Sequence, residues 1–243
     1  MRGLWNLSVV YLKFRIGLNN LVWVLSKLTM GIRGFFHILG VVLLSLVSLL
    51  SGCVSMPETE EELLAGRREA AMLEGRNDSE IKLEPPQRFH KKSLSLGEIY
   101  RELEFNPDGR GIHFVAFFDP EATYYASKLK DEAVKKVAEL FPNVIAVDNE
   151  ADAFRHAYFS FRLADKVGSA RAKKFTDAYE ISNINTMGAR CMDLWNNREG
   201  RRMCEESANS KESDRRAQAE KIVLDAVKSK RLILSPFRLQ NVK

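Results

Sequence analysis

The sequence predicts an all-α protein whose compact part, residues 96–243, is a bundle of about five helices. Three observations lead there. Over roughly 120 residues apolar side chains return three and four positions apart, the spacing that puts them on one helical face. Each such stretch is bounded by a recognisable start or stop residue, and the connectors between stretches are short. No repeat or sustained heptad runs through the chain, so a solenoid and a long coiled coil are set aside. The 45% hydrophobic and 28% charged residues suit a folded core and exclude wholesale disorder and a multi-span membrane protein.

Taken in order, the compact part opens near Leu96, and Asn106-Pro107-Asp108-Gly109 signals a turn. The apolar run Gly111–Phe118 reads as a strand or a buried connector, since it has no clear period. Asp119-Pro120 then starts a helix carrying Ala122, Tyr125, Ala126, Leu129, Ala133, Val137 and Leu140 inward, which stops at Pro142. A second helix spans about Asn149 to Val167, buries Phe154, Ala157, Phe161 and Ala164, and ends at Gly168. Ser169 is placed to cap a third, to about Ile181. A fourth covers about Ala189 to Met203. Ser210 or Ser213 opens a fifth, with Ala219, Ile222, Val223, Ala226 and Val227 inward.

The segment ahead of the bundle holds the charge imbalance. The chain has 37 Lys+Arg against 32 Asp+Glu, a formal net charge of +5. The first 52 residues contain Arg2, Lys13, Arg15, Lys27 and Arg33 and no acidic residue; 37 less these five leaves 32 basic against 32 acidic from residue 53 onward. From residue 53 onward the chain is therefore neutral, and the charge argument for a nucleic-acid partner fails. Gly34 to Pro57 is free of charge, and the apolar run Phe35–Leu50 leads into Leu50-Ser51-Gly52-Cys53. Basic residues, an apolar run and small residues at a cut are the parts of a secretory signal. A single spanning helix is the competing reading, but Ser45, Ser48, Ser51 and Gly52 weaken it and leave Cys53 unexplained. Met30-Gly31-Ile32-Arg33 followed by the run is a complete signal, so residues 1–29 read as a leader of doubtful translation and 30–52 as the signal peptide. Residues 53–95, rich in Glu, Arg, Lys, Pro and Ser with Pro85-Pro86, read as a flexible tether with room for a short helix over Glu60–Leu73, where Thr59 and Glu62 stand at capping-box spacing.

Leu-Ser-Gly-Cys resembles the lipobox of bacterial lipoproteins. The resemblance implies that Cys53 is acylated, becomes the mature N-terminus and ties the protein to a membrane. Val54 rather than Asp after the cysteine implies, in a host with two membranes, transfer to the outer membrane, facing the periplasm or the cell surface. Cys191 and Cys204 then remain as an even pair in an oxidising compartment, either bridged or as two free buried thiols.

Three polar clusters occur at helical spacing. Asp152, Arg155 and His156 share a face with Ser160; Asp177 neighbours Glu180, with Lys173 a turn before; Asp193 meets Asn196 and Asn197, with Arg201 a turn beyond. Adjacent asparagines are weak helix formers and want a reason other than propensity. In one reading the faces converge on a cleft where His156 is an acid/base oriented by Asp152 or Glu180, and Arg155, Asp177, Asp193, Asn196, Asn197 and Arg201 bind an oxygen-rich substrate. In the other the same residues form a buried network that fixes the bundle without chemistry.

The runs Asp152-Ala-Phe-Arg-His-Ala-Tyr158, Ala172-Lys-Lys-Phe-Thr-Asp-Ala-Tyr-Glu180 and Met192-Asp-Leu-Trp-Asn-Asn-Arg-Glu-Gly-Arg201 resemble, in that order, a bacterial domain family of unknown function. Its members carry Asp-Ala-Phe-Arg-His-Ala, Ala-His-Glu and Met-Asp-Leu-x-Asn-Asn-x-x-Gly-Arg. The resemblance spans about residues 104–205 and implies a polar centre of Asp152, Arg155, His156, Glu180, Asp193, Asn196, Asn197, Gly200 and Arg201. Where that pattern has a second histidine this chain has Tyr179, which excludes a histidine pair. His90, His113 and His156 show no metal-ligand spacing, so no metal and no cofactor is expected. Nucleophile elbows and phosphate-cradling glycine loops are absent as well. The sequence thus leaves two functions: a lipid-anchored envelope hydrolase using His156, or a noncatalytic binding module.

Overall fold

A computed structural model of the chain describes residues 60–86, 93–209 and 211–240. Met30, the signal, Cys53, Thr59, His90 and Ser210 lie outside the described residues. The described part is all-α, with eight helices and one very small sheet. In chain order the elements are α1 (Glu60–Met72), β1 (Lys82–Glu84), β2 (Leu94–Ser95), α2 (Leu96–Glu102), α3 (Ile112–Phe118), α4 (Pro120–Leu140), α5 (Glu150–Val167), α6 (Ser169–Ser182), α7 (Met187–Glu206), α8 (Glu212–Lys228) and β3 (Arg238–Leu239). Among the described residues no helix is long and apolar enough to cross a membrane.

The five helices read from periodicity are α4 to α8. Asp119 caps α4 through the Ala122 amide, with Pro120 in the first turn, where its missing N–H costs nothing. Asn149 caps α5 by accepting from the amides of Ala151 and Asp152, and Gly168, at a φ of 83°, ends it. The Gly168 side of that turn, not Ser169, is the N-cap of α6, and no side chain caps it. Helix α8 follows Lys211, again without a side-chain cap.

Helix α5 is the axis of the bundle. Phe154, Ala157, Phe161 and Leu163 are fully buried on it, each large side chain worth about 1.5–3 kcal/mol of transfer free energy. Helices α4, α6, α7 and α8 surround α5. The closest approach is to α7, where Gly200 lies against the backbone of Ala157 with no room for a Cβ. The N-terminus of α7 is held in the same way: Gly188 packs on the Phe237 carbonyl and accepts from the Phe237 amide at 3.3 Å.

Two sequence expectations change. Gly111–Phe118 is helical over Ile112–Phe118, with Ile112 and Ala116 inward and Phe118 exposed. Its run of apolar residues hid a helix because only one side of it packs. The described part of the stretch read as tether is folded onto the domain. Helix α1 packs Gly66 against the Asn185 backbone, and β1 is the centre of an antiparallel sheet ordered β2-β1-β3, with Leu83 opposite both Leu94 and Leu239. Leu73, Ile81 and Leu83 are buried, so the charge of this stretch concealed a minority of residues that anchor it.

The cysteines also resolve. Cys191 and Cys204 are both buried and free. They lie on the same helix 13 residues apart, which is roughly 20 Å at the helical rise, far beyond the reach of a disulfide.

Candidate functional site

The site is built by three helices crossing near the middle of the bundle. The first turns of α5 carry Asp152, Arg155 and His156, the last turns of α6 carry Glu180, and α7 carries Asp193 and Asn197. Asp152, His156, Glu180, Asp193 and Asn197 are all buried. The Asn149 cap fixes the start of α5, and Asp152 extends it by accepting from the Asp148 amide at 3.0 Å. Asp148 itself adopts a positive φ of 51° to make that approach.

Around the imidazole, carboxylates stand on both sides. Nε2 of His156 lies 3.5 Å from Asp152 Oδ1 and 3.4 Å from Asp193 Oδ1, and Nδ1 lies 3.9 Å from Glu180 Oε1. Arg155 donates from Nε to Asp152 Oδ1 at 3.0 Å and also from Nη2, which stands 3.2 Å from His156 Nε2. Asn197 links the helices: its amide donates to Glu180 Oε1 at 3.3 Å, and its oxygen accepts from the Ser160 hydroxyl at 2.7 Å. Asn185 donates to Asp193 Oδ2 at 3.4 Å. Two buried carboxylate oxygens, Asp193 Oδ1 and Glu180 Oε2, accept no hydrogen bond.

Burial dominates the electrostatics. It pushes His156 down to about 4, with Arg155 adding to the shift, so the ring is neutral at physiological pH and its approaches to Asp152 and Asp193 are not ion pairs. Burial raises the Glu180 carboxyl above the usual range. It raises Asp193 as well, helped by the negative charges of Glu180 and Asp152. Asp148 is pushed up to about 6 by burial and then by Asp152.

A cleft opens onto this centre. It is lined by the polar groups of His156, Glu180, Asn197 and Thr176, the rings of Phe159, Phe175 and Tyr179, and Ala126, Ser127 and Lys130 of α4; its cavity volume is about 20 Å³, room for about one water.

Not every residue singled out in the sequence reaches the cleft. Asn196 is sealed: its amide donates to the Ile233 carbonyl and its oxygen accepts from the Ile233 amide, both at 2.9 Å. It latches the C-terminal segment to α7 and, fully buried, is out of a substrate's reach. Arg201 donates to Thr176 Oγ1 at 2.9 Å within the α6–α7 contact. Asp177 pairs with Lys173, which also donates to the Glu104 carbonyl at 2.7 Å. These two tie α6 to its neighbours away from the imidazole. Sequence reasoning missed Asp148, Asn185 and the α4 wall, which meet the site only through the tertiary fold; the only local hint was Asp148 standing four residues before Asp152.

The absence of histidine pairs argued against metal, yet the ligand atoms of Asp152, His156 and Asp193 lie within 4.8 Å of one another. One histidine and two carboxylates on crossing helices make a set that no linear spacing displays.

Residues 113–231 match the family described as Domain of unknown function (DUF6973). The match takes in every residue of the cleft and the imidazole cluster, and it is to a family of unknown function. No curated protein and no solved structure matches the chain.

Proposed function

We propose that this protein is an exported lipoprotein, held in the cell envelope, at the outer membrane in a two-membrane host, by acylated Cys53, and that its DUF6973 domain hydrolyses an envelope lipid or lipid-derived substrate with His156 and Glu180 as the proton-transfer pair. The observation that carries this reading is the cleft, where His156, Glu180 and Asn197 are lined up with Phe159, Phe175 and Tyr179 around one small opening. At about 20 Å³ the cleft as it stands admits a water and not an acyl chain, so a lipid would enter only as it widens; its aromatic walls would then meet the chain and Lys130 an anionic group.

Neutral His156 can take a proton and the buried Glu180 carboxyl can carry one, the two halves of general acid/base catalysis. Helix α1 begins seven residues after Cys53. Seven residues span at most about 25 Å, which keeps the domain close to a lipid surface.

A second reading, a noncatalytic lipid-binding module, draws support from Tyr179 in the cleft where the resembled pattern has histidine. The test is incubation of the full chain with vesicles of phosphatidylethanolamine and phosphatidylglycerol, measuring free fatty acid. Release that is lost in Glu180→Gln supports hydrolysis; binding without release supports the module; neither binding nor release overturns both. Cys53→Ser is expected to abolish fatty-acid labelling and membrane retention, and unchanged labelling would overturn the anchor.

A further inference from the structure

Three atoms of metal-ligating type from two helices lie within 4.8 Å of one another, and the two separations from the imidazole match those of co-ligands. Nε2 of His156 is 3.5 Å from Asp152 Oδ1 and 3.4 Å from Asp193 Oδ1. Hydrogen bonds between such atoms would be about 2.7–3.2 Å. Two ligand atoms on one tetrahedral ion, each about 2.0–2.2 Å from it, lie roughly 3.3–3.6 Å apart. The gaps are long for direct bonding and right for a shared ion.

A second, independent observation points the same way. Asp193 is 4% exposed, and its Oδ1, the atom nearest His156 Nε2, accepts no hydrogen bond. A buried carboxylate oxygen left this way carries a desolvation cost that a cation would remove. The surroundings are acidic: Asp148, Asp152, Glu180 and Asp193 act on one another here, and Arg155 is the cation in hydrogen-bond contact with the group.

We propose that Asp152 Oδ1, His156 Nε2 and Asp193 Oδ1 form a binding site for a divalent first-row cation of the Zn²⁺ or Mn²⁺ kind. One imidazole with two carboxylates is a donor set that suits these ions. Arg155 competes with the cation, because its guanidinium bonds to Asp152 and abuts Nε2. The site shares His156 with the proposed hydrolysis and would turn that imidazole from proton carrier to ligand, but it stands or fails separately, since occupancy is read without substrate. With Nε2 on a cation, Nδ1 still faces Glu180, and Glu180 is then the proton carrier of the cleft.

The experiment is calorimetric titration of Zn²⁺ into the chelator-treated full chain in detergent, paired with thermal melts. The expected result is one equivalent bound by the wild type with a raised melting temperature, as any ligand of the folded state requires. Asp193→Asn, nearly isosteric, should weaken that equivalent at least about tenfold, as loss of a ligand does. Arg155→Gln should tighten it. A wild type that binds no such equivalent, or an Asp193→Asn isotherm matching the wild type, overturns the site. Should Asp193→Asn lose the helical circular dichroism spectrum, Asp152→Asn takes its place under the same criterion.

Discussion

Replacing Gly200 with Ala sets two known effects of opposite sign against each other. In the middle of a helix Ala is favoured over Gly by about 0.8–1 kcal/mol, so helix propensity alone would stabilise α7. At this position, however, a Cβ would lie 2.2 Å from the Ala157 carbonyl oxygen and 2.9 Å from both its carbonyl carbon and its Cα. Ordinary contact begins near 3.4 Å, so α5 and α7 would have to part by about 1.2 Å, the difference between 3.4 and 2.2 Å. The obstacle is backbone and cannot rotate away. Overpacking of this kind costs about 1–3 kcal/mol and occasionally more, and the upper end applies here. The net expectation is a loss of about 2 kcal/mol after the propensity gain is subtracted. In a domain of this size that lowers the melting temperature by roughly 4–8 °C. Urea unfolding should show a lower midpoint at unchanged slope. Gly97→Ala is the control, since its Cβ would meet nothing nearer than 3.5 Å and stability should hold. A Gly200→Ala protein as stable as the wild type, or more so, would refute the close α5–α7 packing that assembles the site.

Three further outcomes follow from particular contacts. Asn196→Ala leaves the Ile233 amide and carbonyl without partners; at about 1–3 kcal/mol per buried orphan the loss should exceed 2 kcal/mol, with faster amide exchange at Ile233. Asp119 is held below the usual carboxylate range by its Arg171 bonds and, in smaller part, by the Ala122 amide it caps. Because its folded value is depressed, its stabilisation is present above the unfolded value of 3.8 and fades as pH falls through the lower folded value. Asp119→Asn should therefore cost up to about 1 kcal/mol at neutral pH, with the gap to wild type closing in strong acid, in paired melts. Reductant should leave the melting curve unchanged, and unfolding in denaturant should expose both Cys191 and Cys204 to a thiol reagent.

The helices were readable because their ends are marked by residues whose chemistry is local. Asn149, Asp119-Pro120 and Gly168 act within one turn of themselves, and the bundle's element order follows from them. The sheet was not readable, because strands of two or three residues leave no period and Leu83 pairs with Leu94 and Leu239 only through the fold. The candidate site was half legible. Helical spacing gathered Asp152, Arg155 and His156, but it could not tell Asn196 from Asn197. Adjacent residues on a helix point about 100° apart, and only the position of the Ile233 segment decides that Asn196 is a latch while Asn197 faces Glu180. The cysteine pair shows the reverse: once α7 is drawn as one helix, the distance between Cys191 and Cys204 already rules out a bridge.

The central claim is that the imidazole lining the cleft is functional rather than structural. Fatty-acid release from phospholipid vesicles by His156→Gln, compared with wild type at matched stability, tests it most directly. The expected result is a loss of about 100-fold or more, the usual contribution of a positioned acid/base group, with the helical circular dichroism spectrum retained. A His156→Gln protein that releases fatty acid at the wild-type rate would contradict the claim.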